Sequence, residues 1–198
     1  QTEFRMKQFD EVRKLLDNAV ALYNHVDFIE NDPIQIPHRF TRKEDIEIAG
    51  FLAAAISWGQ RKTILNNANQ LMDLMDNSPY DFVMEGKDFE TVSCFIHRTF
   101  NGVDCGFFLR SLRNIYLYHG GLEGVFTEGF HREKTMFGAL KHFRSIFLEI
   151  PHERRTEKHI SDVASNSSAK RLNMFLRWMV RKDEQEVDFG LWQGIPAS

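Results

Sequence analysis

The longest apolar run of this chain, the 11 residues 48–58, limits its fold more than any other feature. A helix that crosses a membrane needs about 20 apolar residues, so this stretch is too short to span one. It is apolar on every side between Phe51 and Ile56, which is typical of a helix buried in a protein core. We therefore predict a central buried helix over residues 41–58, with Thr41 and Glu44 forming a capping box at its start and Gly59 ending it.

Apolar residues recur at three- and four-residue spacing in most of the remaining chain, and no segment shows clean strand-like alternation. We predict further helices over residues 4–23, 64–75, 92–100, 104–118, 134–150 and 168–181. The polar residues 151–168 are predicted to form a mobile loop. The predicted fold is all-α, a single globular helical domain of about seven helices around one core. The sequence contains 18 Phe, so this core should be rich in Phe.

Length and charge narrow the class of protein. The 198 residues fit one domain, 1–198, and the apolar residues near Ser198 favour a domain that continues past it. The net charge of −3 argues against nonspecific coating of nucleic acid, although a local basic patch is compatible with it. The charged N-terminus lacks the pattern of a signal peptide, so we expect a cytoplasmic protein without a membrane partner.

The absence of several sequence motifs argues against the kinds of chemistry that depend on them. The chain has no P-loop, dinucleotide-binding glycine motif, nucleophile elbow or His-Glu-x-x-His motif. Cys94, His97 and Cys105 have the residue types of a zinc site, but no further Cys or His pair completes one. We expect reduced thiols, no metal and no cofactor.

The helix predicted over residues 168–181 carries the strongest functional signal. Its apolar stripe leaves five cations and Trp178 for the solvent side, a pattern that suits a phosphate backbone. The cations are Lys170, Arg171, Arg177, Arg181 and Lys182. The alternative is a solvated face whose cations pair with acids elsewhere. Lys170 opens the helix, where the helix dipole and Arg171 are expected to lower its pKa and favour Schiff-base chemistry.

Two polar pairs are candidates for an anion or substrate site. His38 and Arg39 lie between Pro37 and Phe40, and His97 and Arg98 lie between apolar residues. Each pair has a structural alternative, in which its side chains bond to loop carbonyls. Clustering of His38 with His97 would favour a small-molecule enzyme.

Four segments together resemble an uncharacterised bacterial family of conserved hypothetical proteins. The segments lie within residues 32–40, 45–59, 97–102 and 170–181. The order of elements is also similar to helix-hairpin-helix DNA glycosylases of the 8-oxoguanine type. The second resemblance implies a fold like the core of those glycosylases, and base-excision glycosylase/lyase chemistry on DNA.

The glycosylase resemblance implies roles for particular residues. It implies that Gln60, Arg61 and Lys62 belong to a loop that probes the duplex, and that Ser168 lies in the hairpin that holds phosphate. It also implies that Lys170 attacks C1′ of the sugar after a damaged base is flipped out. The implied partner is duplex DNA with a damaged or abasic site.

The sequence departs from the glycosylase pattern at two places. Asn166, Ser167 and Ser168 stand where the hairpin usually has Gly-x-Gly, and the catalytic Asp would fall in a segment after Ser198. A non-catalytic helical module that binds a protein or nucleic acid is the alternative function.

Overall fold

The computed structural model describes residues 2–86 and 89–196, and in these residues the chain is predominantly helical. The α-helices are α1 (Thr2–Tyr23), α2 (Lys43–Ala55), α3 (Arg61–Leu74), α4 (Pro79–Glu85), α5 (Gly102–Tyr118), α6 (Gly121–Glu133), α7 (Met136–Phe147) and α8 (Lys170–Val180). Short 3-10 helices cover Val26–Asn31, Pro33–Gln35, Pro37–Arg39, Phe89–Cys94, Arg154–His159 and Val163–Ser165. Strands β1 (Ile96–His97) and β2 (Phe100–Asn101) pair antiparallel. The prediction of a helical fold is confirmed.

Helix α2 is the central helix of the fold, as predicted. Its residues are buried from Ile46 onward, and it packs against α8, α4 and α3. Gly50 lies where α2 meets α8, because a Cβ there would be 3.3 Å from the Cε atom of Met179. The absence of a side chain thus allows the two helices to approach closely.

Phenylalanine rings fill the centre of the core. The Phe51 ring lies 5.4–5.9 Å, between ring centroids, from the rings of four other Phe residues. These come from α5, α7 and α8: Phe108, Phe143, Phe147 and Phe175. Since edge-to-face and offset ring pairs are favourable beyond area burial alone, α2 is fixed from several sides at once. The prediction of a Phe-rich core is confirmed.

The ends of the two functionally important helices differ from the predictions. Helix α2 has Arg42 as its N-cap without a side-chain cap, so the capping box predicted at Thr41 does not form, and the helix ends at Ala55. Helix α8 begins after Ala169, whose φ of +47° is left-handed. Ser167 does not cap α8; its hydroxyl accepts a hydrogen bond from the Ala169 amide instead.

Four segments have a structure other than the one predicted, and one of them is helix α4, which was not predicted. The helix expected over residues 92–100 is a 3-10 helix followed by the β1–β2 hairpin. Helix α6 was not predicted. The segment 151–168, predicted as a mobile loop, contains two 3-10 helices, and Thr156 and His159 anchor it in the interior.

Helix α1 forms as predicted, but its apolar stripe is exposed. Phe9 is 69% exposed and Leu15 is 68% exposed. No helix of the described residues is both long enough and apolar enough to cross a bilayer.

The residues after α8 turn back onto the core. Trp192 is buried, and its indole Nε1 donates a 2.6 Å hydrogen bond to Oε1 of the buried Glu47 in α2. Tyr116 donates a 2.6 Å hydrogen bond to the other carboxylate oxygen of Glu47, and Lys43 lies 2.7 Å from Oε1. A buried carboxylate is expensive unless it is paired and hydrogen-bonded, and Glu47 meets both conditions.

Candidate nucleic-acid interface

The loop between α2 and α3, residues 56–60, is held by the β1–β2 hairpin. His97 of the hairpin is buried, and its Nε2 lies 3.1 Å from the Trp58 carbonyl oxygen. Its Nδ1 accepts a 2.9 Å hydrogen bond from the Asn67 side chain of α3. These two partners require a neutral imidazole with its proton on Nε2. Burial lowers the pKa of His97, with Arg98 and Arg171 nearby acting in the same direction, which favours that neutral form.

Two side chains lie against the ring of Trp58. The Arg171 guanidinium carbon is 4.7 Å from the ring centroid, and the His159 ring stacks with its centroid 5.9 Å away. Arg171 also donates a hydrogen bond to the Ala55 carbonyl oxygen. A nucleobase that approached the face of Trp58 next to Arg171 would therefore have to displace this arginine.

A small cavity lies beneath Arg171. It has a volume of about 10 Å³ and is lined in part by Phe51, His159, Arg171 and Leu172. This is room for about one water molecule. The side chain of Arg171 thus separates a nearly filled interior from the surface.

A buried carboxylate, Asp104, anchors the neighbouring segment. It accepts hydrogen bonds from the Asn101 amide at 3.0 Å and the Thr156 hydroxyl at 2.7 Å, and Arg155 lies 3.0 Å from its Oδ2. His159 Nε2 is 3.4 Å from the same oxygen without a hydrogen bond. Burial lowers the pKa of His159, and this outweighs the opposing effect of Asp104. The negative charge of Asp104 is therefore compensated by partners within the protein.

Six cations lie in the elements next to this loop and hairpin, and we call them the cation face: Arg61, Lys62, Arg98, Lys158, Lys170 and Arg171. Arg61 and Lys62 begin α3 directly after the loop, and Lys170 begins α8. Lys158 and Arg171 both act on the pKa of His159. In the part of the chain that the structure describes, none of the six has a carboxylate within 4.0 Å, and five of them are exposed. Gln60 and Ser168, also predicted at the interface, are exposed beside this face.

The second half of α8 is different, because acids neutralise its cations. Arg177 Nε donates a 3.0 Å hydrogen bond to Asp188 Oδ2, and Arg181 lies 3.4 Å from that oxygen and 2.6 Å from Asp183. Burial raises the pKa of Asp188, and Arg177 and Arg181 oppose this shift. The alternative in which the cations of this helix pair with acids thus holds for Arg177 and Arg181. Lys170 and Arg171 have no acidic partner among the described residues.

The predicted solvent face of α8 also included Trp178, and this placement is wrong. Trp178 is only 2% exposed. Its backbone carbonyl accepts hydrogen bonds from Phe189 and Gly190, so the returning residues cover it. Trp192 is buried as well, and neither of these two indoles is available for stacking on bases.

Asp32 lies near predicted DNA-binding residues of both α3 and α8. Burial raises its pKa, and the Ile34 amide, Arg61 and Arg177 oppose that effect. Arg61 of α3 and Arg177 of α8 thus lie on the same side of the molecule, near one carboxylate.

The four candidates for an anion or substrate site are not brought together. His38 Nε2 lies 2.9 Å from the Val187 carbonyl oxygen. Arg39 donates a hydrogen bond to Asn69 at 2.7 Å and another to Asn77. His97 holds the Trp58 loop instead, and Arg98 belongs to the cation face. His38 and Arg39 therefore have contacts that suit the structural alternative.

Sequence reasoning did not single out Asp104, Arg155 or His159. A local signal existed for Asp104, because Asn101 and Asp104 have the spacing of a capping box and form one at the start of α5. Nothing local connects them with Arg155 or His159, which are more than 50 residues away.

The described residues contain no group of three or more His, Cys, Asp or Glu side chains that could hold a metal ion. Cys94 is exposed and Cys105 is buried, and both are free thiols.

The fold and this surface define a helical protein with an unpaired cation face around the α2–α3 loop. Residues 32–198 match the model of a family described as a protein of unknown function (DUF2400), and the chain belongs to that family. No curated protein and no solved structure matches the chain.

Proposed function

We propose that this protein binds the phosphate backbone of duplex DNA through the cation face and acts at damaged or abasic sites. The observation that carries this proposal is the group of six cations in the elements next to one loop, none of which has a carboxylate partner among the described residues. Unpaired cations on one face favour binding to a polyanion, because each phosphate contact releases condensed counterions. The net charge of −3 belongs to the whole chain, and a local group of cations can still attract a polyanion.

Lys170 is the residue that we propose for covalent chemistry. It is exposed at the first position of α8, and no described carboxylate pairs with it. At an abasic site the Lys170 amine adds to the C1′ aldehyde of the ring-opened sugar, and loss of water leaves an imine. The similarity in element order to helix-hairpin-helix glycosylases supports this assignment.

Fluorescence anisotropy tests the binding proposal. The protein is titrated into a duplex that carries a tetrahydrofuran abasic analogue and into the same duplex undamaged. We expect tighter binding to the abasic duplex, weakened in Arg61→Ala/Lys62→Ala. The variant Lys14→Ala/Arg110→Ala removes two exposed cations outside the cation face and should bind like the original protein. Equal loss of affinity in both variants, or no binding at low salt, would refute the proposal.

Borohydride trapping tests the chemistry separately. Hydride reduction of the imine gives a stable secondary amine that joins protein to DNA. A duplex with a natural aldehydic abasic site should be trapped, and the tetrahydrofuran duplex, which has no aldehyde, is the control. Trapping should disappear in Lys170→Ala. Binding without trapping would favour the alternative, a non-catalytic nucleic-acid-binding module.

A further inference from the structure

Two arginines of the cation face lie beside adjacent residues of the α2–α3 loop. Arg171 covers the ring of Trp58, with its guanidinium carbon 4.7 Å from the ring centroid. Arg98 lies against Gly59, because a Cβ on that glycine would be 2.9 Å from Arg98 Nη1. A guanidinium has five N–H donors, and the hydrogen bond to Ala55 uses one donor of Arg171. Arg98 makes no hydrogen bond or ion pair with a described residue.

The backbone holds Arg98 in an unfavourable conformation. Its φ of +56° is left-handed, and it occupies the two-residue turn between His97 and Phe100. Asn, Asp and Gly are the residues that such turns prefer, and other residues in this region cost about 1–3 kcal/mol. The hairpin is fixed against α3, since the Asn67 side chain donates hydrogen bonds to His97 Nδ1 and to the Ile96 carbonyl oxygen. An arginine is therefore presented rigidly at a position that local preference does not favour.

The surroundings leave the charge of both arginines uncompensated. His97 and His159 lie beside them and have lowered pKa values, so they contribute no negative charge and little positive charge at neutral pH. Asp104 is occupied by Arg155 and Thr156. Burial lowers the pKa of Arg171, and no acid opposes that effect. A half-buried guanidinium without an anion is costly, and a bound oxyanion would relieve the cost.

We propose that Arg98 and Arg171 together bind one phosphate group over the Trp58–Gly59 segment. If the phosphate belongs to DNA, this inference rests on the proposed function. The site then holds the backbone phosphate at the centre of the interface. Gly59 lies next to Arg98 Nη1, and its φ of +111° is a backbone conformation that residues with a side chain rarely adopt. The same chemistry suits free inorganic phosphate.

A scan of neutral phosphates on the abasic duplex tests the inference. A set of duplexes carries a single methylphosphonate, which removes the charge of one backbone phosphate, at successive positions. For the original protein, one position should weaken binding by about tenfold or more, since hydrogen bonds to charged groups are the strong ones. In Arg98→Gln/Arg171→Gln that position should have no additional effect. Arg171→Lys retains the charge without the planar fork and should give an intermediate loss.

The outcomes distinguish failure of the two-arginine site from failure of the proposed DNA binding. Equal losses at all positions, or the same position-specific loss in the double variant, overturn the two-arginine site while DNA binding stands. If no duplex binds, the proposed function fails, and a titration with inorganic phosphate decides the site. A phosphate-induced shift of the Arg171 Nε–H resonance that vanishes in Arg98→Gln then supports a free-phosphate site, and the absence of such a shift in the original protein overturns it. Thermal melting of each variant establishes that it is folded.

Discussion

The salt dependence of DNA binding should distinguish the paired from the unpaired cations. If all six cations of the cation face contact phosphates, the logarithm of the association constant should fall with the logarithm of salt at a slope of about −5, at about 0.9 per phosphate. Affinity should then fall about a thousandfold between 50 and 200 mM salt. In Arg61→Ala/Lys62→Ala the slope should become shallower by nearly two units, to about −3.5, since each of the two lost phosphate contacts removes about 0.9 of a unit.

The matched comparison is Arg177→Ala/Arg181→Ala, which also removes two cations on the same side of the molecule. Because Asp188 and Asp183 already neutralise these arginines, the slope should stay within about 0.5 of the original value. The assay is fluorescence anisotropy at five or more salt concentrations, after thermal melting has shown that each variant is folded. If the Arg177/Arg181 variant flattens the slope and the Arg61/Lys62 variant does not, the assignment of the interface from ion pairing is wrong.

Three further outcomes test the fold. Phe51→Ala should lower the free energy of unfolding by about 3–5 kcal/mol in chemical denaturation, because a ring that is 1% exposed leaves a cavity; a loss below 1 kcal/mol would contradict the packing. The fold lowers the pKa of His97, so its neutral form stabilises the protein above pH about 6.5. The free energy of unfolding should therefore decrease as pH falls below that value. His97→Gln should reduce this decrease, as measured by the free energy of unfolding against pH. A thiol reagent should modify exposed Cys94 quickly in the native protein and buried Cys105 only after denaturation, since burial raises the pKa of Cys105; two fast thiols would argue against this core.

The sequence predicted those elements whose pattern lies within one segment. Helix α2 could be located because a run of apolar residues is stable in the core and unfavourable in water. Helix α6 was missed because its three glycines weaken helix propensity, and tertiary packing against α7 compensates. The hairpin at 96–101 has strands of two residues each, too short for any alternation to show.

The site was predictable only in part, for a related reason. Helical periodicity separated the apolar stripe of α8 from its polar face, but it could not show what covers that face. Trp178 is buried and Arg177 is paired because residues 187–192 return to α8 from a loop. Likewise, the contact between Arg171 and Trp58 joins residues more than 100 positions apart, which no local pattern specifies.

The return of residues 187–192 onto α8 makes the electric field of the surface depend on local unfolding. The same short segment places Trp192 against Glu47 in the core and Asp188 against Arg177 and Arg181. A transient detachment would expose apolar surface and, in the same event, release the positive charge of Arg177 beside those of Lys170 and Arg171, while Arg181 would keep its contact with Asp183. Conditions or partners that stabilise the detached form would lengthen the positive strip along the helix, so the attraction for a polyanion and the opening of this segment would be thermodynamically linked.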